Sequence, residues 1–380
     1  MPGHIILILI TFILAYFGFF TLTKSHKKVL SFFHVPAGKS ASNARLLAGL
    51  PLSISTVIAL SYISFSGPYT FLILSWIFCS FSIIAYGFLD DKFEIKAKTK
   101  LRAQLFAAVT FAFLASTGSL GTSPLLSFAL VSFCALALMN GTNLLDGLDT
   151  MTIKLSSVVF ITFSIIGIIF NATELFIPAL LFLAPLWAFY FFNKEPSRLH
   201  LGEIGGSFLG FGSLLLGTIC FAELRGKLGE IKALFLSVLP FVWPITELAS
   251  SFIRRLYIGK SPFQGDRLHI HHILRTDFSL SSNQVTNILG MSCLIISLMG
   301  LITSVVSHPV IGFLVMTASQ SALYIMVCKH RWLVRKKEAP YWNVLTSSLK
   351  RKEPCYIAVT YVDHLQIAPK KKKSAHLIQA

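Results

Sequence analysis

Long runs of apolar residues, separated by short polar stretches, dominate the chain. A helix needs about 20 mostly apolar residues to cross the hydrocarbon core of a bilayer. On that scale the 380 residues contain eleven candidate membrane-spanning helices. They cover residues 3–23, 46–65, 69–89, 103–118, 123–139, 155–170, 175–192, 207–222, 233–252, 287–306 and 309–328. The pattern predicts an all-α, polytopic membrane protein with about eleven transmembrane helices.

The composition supports this prediction. The chain is 54% hydrophobic and only 13% charged, and its mean hydropathy is +0.71. Soluble domains carry about 25% charged residues, so a single domain in water could not bury this much apolar surface. We therefore expect the lipid bilayer to surround most of the chain.

The distribution of positive charge indicates the orientation in the membrane. The formal net charge is +17, and only Arg225, Lys227 and Lys232 of the 33 Lys and Arg residues lie outside six alternate segments. These segments are 24–45, 90–102, 140–154, 193–206, 253–286 and 329–380. Since positive charge marks the cytoplasmic side, we expect the N-terminus outside and the C-terminus in the cytoplasm. No basic patch lies on a soluble domain, so we expect no nucleic-acid partner.

We expect two parts, a membrane domain over residues 1–328 and a basic cytoplasmic tail over residues 329–380. The first apolar run has no positive residue before it, and Lys24, Lys27 and Lys28 follow it. This order indicates an uncleaved anchor rather than a signal peptide. The tail fits attraction to anionic lipid, and binding to a partner protein is the alternative.

Four groups of polar residues stand out against the apolar background. They are the pair Asp90 and Asp91, the series Asn140, Asn143, Asp146 and Asp149, the segment 193–210, and the segment 254–272. All four lie at predicted cytoplasmic ends of spans, so they can meet at one membrane surface. We interpret that surface as the functional one.

Asp90 and Asp91 close the third predicted span. The dipole at a helix C-terminus disfavours a carboxylate by about 0.3–1 kcal/mol, so two acids there indicate a nearby cation. The lysines from Lys92 to Lys100 supply part of the compensation. Simple capping and hydration of the helix end is the alternative.

The series Asn140, Asn143, Asp146 and Asp149 recurs every third residue. Residues three apart share a helix face, so we expect these side chains to point into one cleft. Oxygen ligands of this kind suit Mg²⁺, which uses few protein carboxylates together with substrate phosphates. Mn²⁺ is an alternative ion.

Glycines and histidines complete the candidate chemistry. Gly202 and Gly205 stand before a predicted span, where a helix N-terminus can bind an anion, or where they simply make the loop flexible. Glu203 between them would repel an anion unless a metal ion intervenes. The HxHH run of His269, His271 and His272, with Arg267 beside it, suits phosphate better than a crowded zinc site. Incidental surface histidines are the alternative.

Together these segments resemble the polyprenyl-phosphate N-acetylhexosamine-1-phosphate transferases of glycosyltransferase family 4. The similarity follows the family's order from about Val35 to Leu274. It rests on the motifs LDDKFEI, NGTNLLDGLDTM, GEIGGSFLG and GKSPFQGDRLHIHHIL. The HIHH form is closer to the N-acetylglucosamine branch than to the muramoyl-pentapeptide branch.

The resemblance implies roles for individual residues. It implies the catalytic acids Asp90, Asp91, Asp146 and Asp149, and the metal ligands Asn143 and Glu203. It implies the substrate-binding residues Lys100, Asn140, Asn193, His200, Gly202, Gly205, Arg267, His269, His271 and His272.

The implied reaction transfers N-acetylglucosamine-1-phosphate, or a related sugar phosphate, from a UDP-sugar to undecaprenyl phosphate and releases UMP. It implies Mg²⁺ as cofactor and a place in the bacterial cytoplasmic membrane, at the start of an envelope polysaccharide such as O-antigen. The sequence leaves room for a homodimer.

The sequence departs from the family pattern at four places, one of which is His200, where the family has an aromatic residue that would stack on the uracil. Glu203 stands where the family has Asp, Gly206 where it has Ser, and His34 where it has an acid. A catalytically weak homologue that serves as a binding or scaffold protein is therefore an alternative. A transporter is a further alternative, but transporters place charged residues near the bilayer midplane rather than at span ends.

Overall fold

The computed structural model describes residues 2–24, 47–65, 67–93, 95–118, 123–262, 266 and 268–350, with backbone alone over 334–350. His34 and Arg267 lie outside the described residues, as does most of the predicted tail. Helices and their connecting turns make up the described part of the chain, which contains no strand. The prediction of an all-α membrane protein is confirmed.

Thirteen α-helices form the described structure, numbered here in chain order. They are α1 (Pro2–Lys24), α2 (Gly49–Ser64), α3 (Thr70–Phe93), α4 (Ala97–Gly118), α5 (Pro124–Leu144), α6 (Met151–Ile169), α7 (Thr173–Asn193), α8 (Gly202–Leu228), α9 (Glu230–Val238), α10 (Val242–Tyr257), α11 (Ile270–Thr276), α12 (Ser282–Val306) and α13 (Pro309–Lys350).

Each of the eleven predicted spans falls on helical structure, but the count of eleven is not confirmed. Nine spans within the described residues are long and apolar enough to cross a membrane. Helix α2 has only 16 residues, and α4 begins with the charged residues Lys98, Lys100 and Arg102. The predicted span 233–252 consists of α9 and α10, joined by a short 3₁₀ turn that contains Pro240.

Helix α8 is the centre of the bundle and packs against α2, α3, α5, α6, α7 and α9. Its glycines permit this close packing. A Cβ on Gly210 would lie 2.4 Å from the carbonyl oxygen of Leu138 in α5, and a Cβ on Gly217 would lie 2.4 Å from the ring of Phe241. The Trp76 indole of α3 donates a 2.8 Å hydrogen bond to the carbonyl oxygen of Phe211. Packing on all sides therefore fixes the position of the α8 N-terminus.

The last two helices, α12 and α13, pack against each other, and α13 also contacts α9, α10 and α11. Helix α13 runs without interruption through residues 328 and 329, where the predicted boundary between the membrane domain and the tail lies. That boundary therefore does not coincide with a helix end.

The series from Asn140 to Asp149 does not lie on one helix face, so that prediction is wrong. Helix α5 ends at Leu144, and its last turn closes with a hydrogen bond from the Asp146 amide to the carbonyl oxygen of Asn143. Asp-Gly sequences favour turns, and here Gly147 follows Asp146. Asp149 therefore lies in the connection to α6, from which it can face other parts of the chain.

Candidate active site

Glu203, in the first turn of α8, is the point where the polar groups converge. Its Oε1 accepts hydrogen bonds from Asn143 Nδ2 of α5 at 2.7 Å and from the Ser207 hydroxyl at 2.7 Å. Its Oε2 pairs with the ammonium group of Lys100 from α4. The Glu203 side chain is only 8% exposed, and a buried carboxylate requires such partners.

Asp91 stabilises the N-terminus of α8 from outside that helix. Its two carboxylate oxygens accept hydrogen bonds from the backbone amides of Glu203 at 2.8 Å and Ile204 at 3.4 Å. The positive dipole end of α8 thus supplies the compensating charge that the C-terminus of α3 lacks. The N-terminus of α8 therefore supplies positive charge of the kind that the sequence predicts near Asp91.

Asp90 has a different environment from its neighbour. It is half-buried and makes no hydrogen bond or ion pair with any other described residue. Its charge nevertheless acts on Glu203, so the two carboxylates lie close together. Asp90 is therefore the acid of the pair that is open to a ligand.

The N-terminal glycines of α8 have separate roles. Gly202 adopts φ of +72°, a left-handed conformation that glycine accommodates without strain. Gly205 is buried, and a Cβ there would lie 2.2 Å from the Leu201 side chain. The Asp91 carboxylate already accepts from the amides of Glu203 and Ile204. A phosphate could therefore reach the backbone at Gly205 only by displacing the Asp91 carboxylate and the Leu201 side chain.

Asn140 and Asn193 use their amides to hold helices together. Asn140 Nδ2 donates to Gln104 Oε1 of α4 at 2.9 Å. Asn193 is buried; its Oδ1 accepts from the Thr150 amide at 2.7 Å, and its Nδ2 donates to the carbonyl oxygen of Leu199 at 2.9 Å. Asn193 thereby joins the ends of α6 and α7, and both ends of its amide are occupied.

Asp146 faces solvent, although protein surrounds it on the other sides. The resulting loss of hydration raises its pKa, and the nearby charges of Glu203 and Asp149 raise it further. Two effects partly offset this rise in the pKa of Asp146. The Thr152 hydroxyl donates a 2.8 Å hydrogen bond to its carboxylate, and the electrostatic effect of His200 lowers the pKa. Asp146 therefore lies within electrostatic range of the Glu203 cluster.

Asp149 and His200 come from separate connections and face each other. The distance from His200 Nδ1 to Asp149 Oδ1 is 3.9 Å, and the His200 side chain is 42% exposed. An exposed ring beside the acidic groups can stack on or hydrogen-bond to a bound molecule. The pair thus extends the polar surface towards solvent.

His271 lies beneath the turn that carries Asp146. It is 1% exposed, and neither ring nitrogen has a hydrogen-bond partner in the part of the chain that the structure describes. Nε2 lies against Gly147, where a Cβ would approach it to 2.1 Å. Burial lowers the pKa of His271 to about 3, so the ring is neutral near pH 7.

His269 is held by buried acids on both sides. Its Nδ1 lies 2.6 Å from Glu247 Oε1, and its Nε2 lies 3.6 Å from Asp266 Oδ1. Arg254 donates to Asp266 at 2.7 Å. Burial alone would raise the pKa of Asp266. The hydrogen bond and the positive charge of Arg254 outweigh burial and bring this pKa below its usual range. The ring of His272 packs against His269 and completes the cluster.

Several contributors were not predicted from the sequence. Ser207 donates to Glu203, its neighbour at helical spacing of four, and also contacts Asn143. That spacing is a signal that could have identified it. Gln104 and Tyr324 give no comparable signal, because each acts on a residue far away in the sequence.

The oxygen donors around Glu203 fit the chemistry of a magnesium ion. Five carboxylates lie in this region, and Lys100 is in direct contact with one of them. Such an excess of negative charge is stabilised by a further cation. Among the described residues no three His, Cys, Asp or Glu side chains are arranged to hold a metal ion by themselves. Mg²⁺ needs only one or two protein carboxylates when substrate phosphates complete its coordination, so the donor set and the ion are compatible.

Comparison with known proteins identifies relatives of the chain. The family model described as "Glycosyl transferase family 4" matches residues 73–221. A probable undecaprenyl-phosphate N-acetylglucosaminyl 1-phosphate transferase of Bacillus subtilis is 29% identical over 60% of this chain and 62% of its own length. The match thus spans less than two thirds of that relative.

Two enterobacterial relatives match over a larger share of their length. An undecaprenyl-phosphate alpha-N-acetylglucosaminyl 1-phosphate transferase of Salmonella typhi is 26% identical over 69% of this chain and 74% of its own length. The protein of the same name from Escherichia coli O157:H7 is 25% identical over 77% of this chain and 81% of its own length.

Proposed function

We propose that the chain, whose residues 73–221 match the model described as "Glycosyl transferase family 4", transfers N-acetylglucosamine-1-phosphate from a UDP-sugar to undecaprenyl phosphate. One observation carries the proposal. Residues from α3, α4, α5 and α8 meet at Glu203, and the histidines reach the adjacent turn at Gly147. The relatives' names supply the identity of donor sugar and acceptor.

The proposed reaction exchanges one phosphoanhydride bond for another. An oxygen of the lipid phosphate attacks the phosphorus attached to the sugar, the bond to the uridine-linked phosphate breaks, and UMP leaves with the electron pair. The lipid phosphate is already largely ionised near pH 7, so no strong base is required. Such phosphoryl transfers depend chiefly on positioning and on neutralisation of charge.

The residues of this chain can provide both requirements. Lys100 brings a positive charge to the acidic groups, and the neutral His271 ring can donate its one N–H to a phosphate oxygen. His269 is held rigidly beside it. Asn143 and Glu203 would hold Mg²⁺, which neutralises diphosphate charge when it is bound.

Glu203 supports an active enzyme rather than a scaffold. The longer side chain reaches Lys100, Asn143 and Ser207 at once. The hydroxyl missing at Gly206 is supplied one residue later, by Ser207. The departures at Glu203 and Gly206 thus fit a site in which the same groups are present.

An apolar groove on the bundle suits the acceptor's hydrocarbon chain. It has a volume of about 370 Å³ and lies between the first half of α5, the second half of α8, and α9, towards the helix ends opposite the acidic cluster. Leu126, Leu130, Leu214, Phe221 and Leu234 are among the residues that line it. Burial of isoprenoid surface there contributes roughly 25 cal/mol per Å².

We place the reaction at the cytoplasmic face of a bacterial inner membrane, with the N-terminus outside. Positive charge favours this orientation, because the basic segments lie at the same helix ends as the acidic cluster. The product would begin an envelope polysaccharide.

The test is UMP release by the purified protein in bilayers containing undecaprenyl phosphate. We expect release with UDP-N-acetylglucosamine, loss after chelation of divalent cations, and recovery with Mg²⁺. Glu203→Gln should abolish release, whereas the matched variant Glu174→Gln, at the opposite end of the bundle in the first turn of α7, should retain it. Failure of the folded wild-type protein to release UMP from any UDP-N-acetylhexosamine would refute the proposal.

A further inference from the structure

A polar side chain of the last long helix enters the histidine cluster from outside the family-matched region. Tyr324, in α13, is 3% exposed, and its hydroxyl donates a hydrogen bond to Glu247 Oε2. Residues 73–221 carry the family match, so α13 lies well beyond it. A buried tyrosine hydroxyl directed at a buried carboxylate is a specific contact.

Glu247 connects this tyrosine to the histidines. It is fully buried in α10, and its other oxygen, Oε1, lies 2.6 Å from His269 Nδ1. A carboxylate only accepts hydrogen bonds, and the donors that reach Glu247 from the described residues are Tyr324 and His269. The orientation of the His269 ring therefore depends on where Glu247 is held.

The His269 ring in turn supports His271. The two rings are nearly parallel, at 13°, with centroids 5.6 Å apart. Among the described residues the His271 ring has no hydrogen-bond partner, and its Nε2 faces the turn at Gly147. If His269 moved, the stacked ring of His271, which faces the turn next to the acidic groups, would therefore move as well.

Helix α13 holds the same histidine from a second side. The Trp332 ring, two turns beyond Tyr324, lies 5.9 Å from the Arg254 guanidinium. Arg254 pairs with Asp266, which faces His269 Nε2 at 3.6 Å. Both nitrogens of His269 are therefore reached by contacts that begin on α13.

We propose that Tyr324 is a positioning residue, which sets the histidines of the active site through Glu247. The proposal rests on the proposed transferase function for its effect on rate. Removal of the hydroxyl leaves one oxygen of a buried carboxylate without a donor. Glu247 then shifts to regain a partner, and His269 and His271 move with it.

The test compares Tyr324→Phe with Tyr62→Phe, whose side chain is 69% exposed on the bundle surface. We expect UMP release to fall about tenfold in Tyr324→Phe, the scale of one lost hydrogen bond to a charged group, and to stay unchanged in Tyr62→Phe. Glu247→Gln should also be slow, and adding Tyr324→Phe to it should cause little further loss, because both changes act through one contact. Independent, multiplicative losses would overturn the proposal.

Magnetic resonance of histidine ring nitrogens in isotope-labelled protein, in bilayers, reports the positioning without any reaction. The signal that disappears in His269→Asn identifies that residue. We expect this signal to shift in Tyr324→Phe and not in Tyr62→Phe. The proposal would be overturned if the His269 signal did not shift in Tyr324→Phe. It would also be overturned if the signal shifted while UMP release stayed at the wild-type rate. A shift in a protein whose wild type releases no UMP would refute the transferase function and leave the Tyr324 contact standing.

Discussion

Substitution of Gly147 by alanine tests whether the position of His271 matters for the reaction. The backbone at Gly147 does not adopt the left-handed conformation reserved for glycine, so alanine fits the chain locally. The added Cβ, however, would lie 2.1 Å from His271 Nε2 and 2.7 Å from Cε1. The substitution therefore acts through the histidine ring.

The size of the effect follows from these distances. Ordinary contact begins at 3.4 Å, so the ring and the turn must separate by about 1.3 Å at Nε2. The rings of His269 and His272 pack against His271 and leave it little freedom. Overpacking of this kind costs about 1–3 kcal/mol of stability. A misplacement of about 1 Å at a reacting centre can lower the rate roughly 100-fold.

The assay is the steady-state rate of UMP release, with thermal unfolding measured on the same samples. Gly226→Ala is the matched control, because a Cβ there meets nothing within 4 Å. We expect Gly147→Ala to lose about 100-fold in kcat/KM and Gly226→Ala to lose nothing. Wild-type kcat/KM in folded Gly147→Ala would refute the role given to His271.

Three further outcomes follow from the same geometry. Glu203→Asp should lower the rate of UMP release, because the shorter side chain withdraws from Lys100; an unchanged or higher rate would contradict this. Asp91→Ala should lower the free energy of unfolding by about 1 kcal/mol, the usual worth of a helix cap, and hence the Tm in detergent; an unchanged Tm would contradict it. His271 binds its proton near pH 6.5 when unfolded but only near pH 3 when folded, so stability should fall as the pH drops from about 6.5 towards 3. His271→Asn should reduce that loss, measured as Tm against pH, and an identical pH dependence would count against the buried neutral ring.

The gross architecture could be predicted because hydrophobic length and charge placement are local properties of the sequence. Each predicted apolar span falls on helical structure, and the acids of the segments LDDKFEI and NGTNLLDGLDTM lie at one end of the bundle. The contact between Asn143 and Glu203 was anticipated only through the family resemblance. No spacing rule connects two residues 60 positions apart.

The end of α5, the partner of Asp91 and the contact of Tyr324 depend on tertiary packing, and the sequence did not predict them. The end of α5 at Leu144 was signalled by the Asp-Gly pair, yet the three-residue repeat suggested one continuous face. Asp91 was expected beside a ligand, but its partner is the N-terminus of another helix, which the sequence cannot locate in space. Tyr324 lies in an apolar helix and is 77 positions from Glu247, so only the folded chain brings them together.

A site that transfers a sugar together with its phosphate can be recognised by the fate of that phosphate. UDP-N-acetylglucosamine carrying radiolabelled phosphorus in the sugar-linked phosphate would be supplied with undecaprenyl phosphate and Mg²⁺. We predict that the label passes to the lipid fraction while unlabelled UMP is released in equal amount. Recovery of the label in released UDP, with the sugar alone on the lipid, would contradict the account.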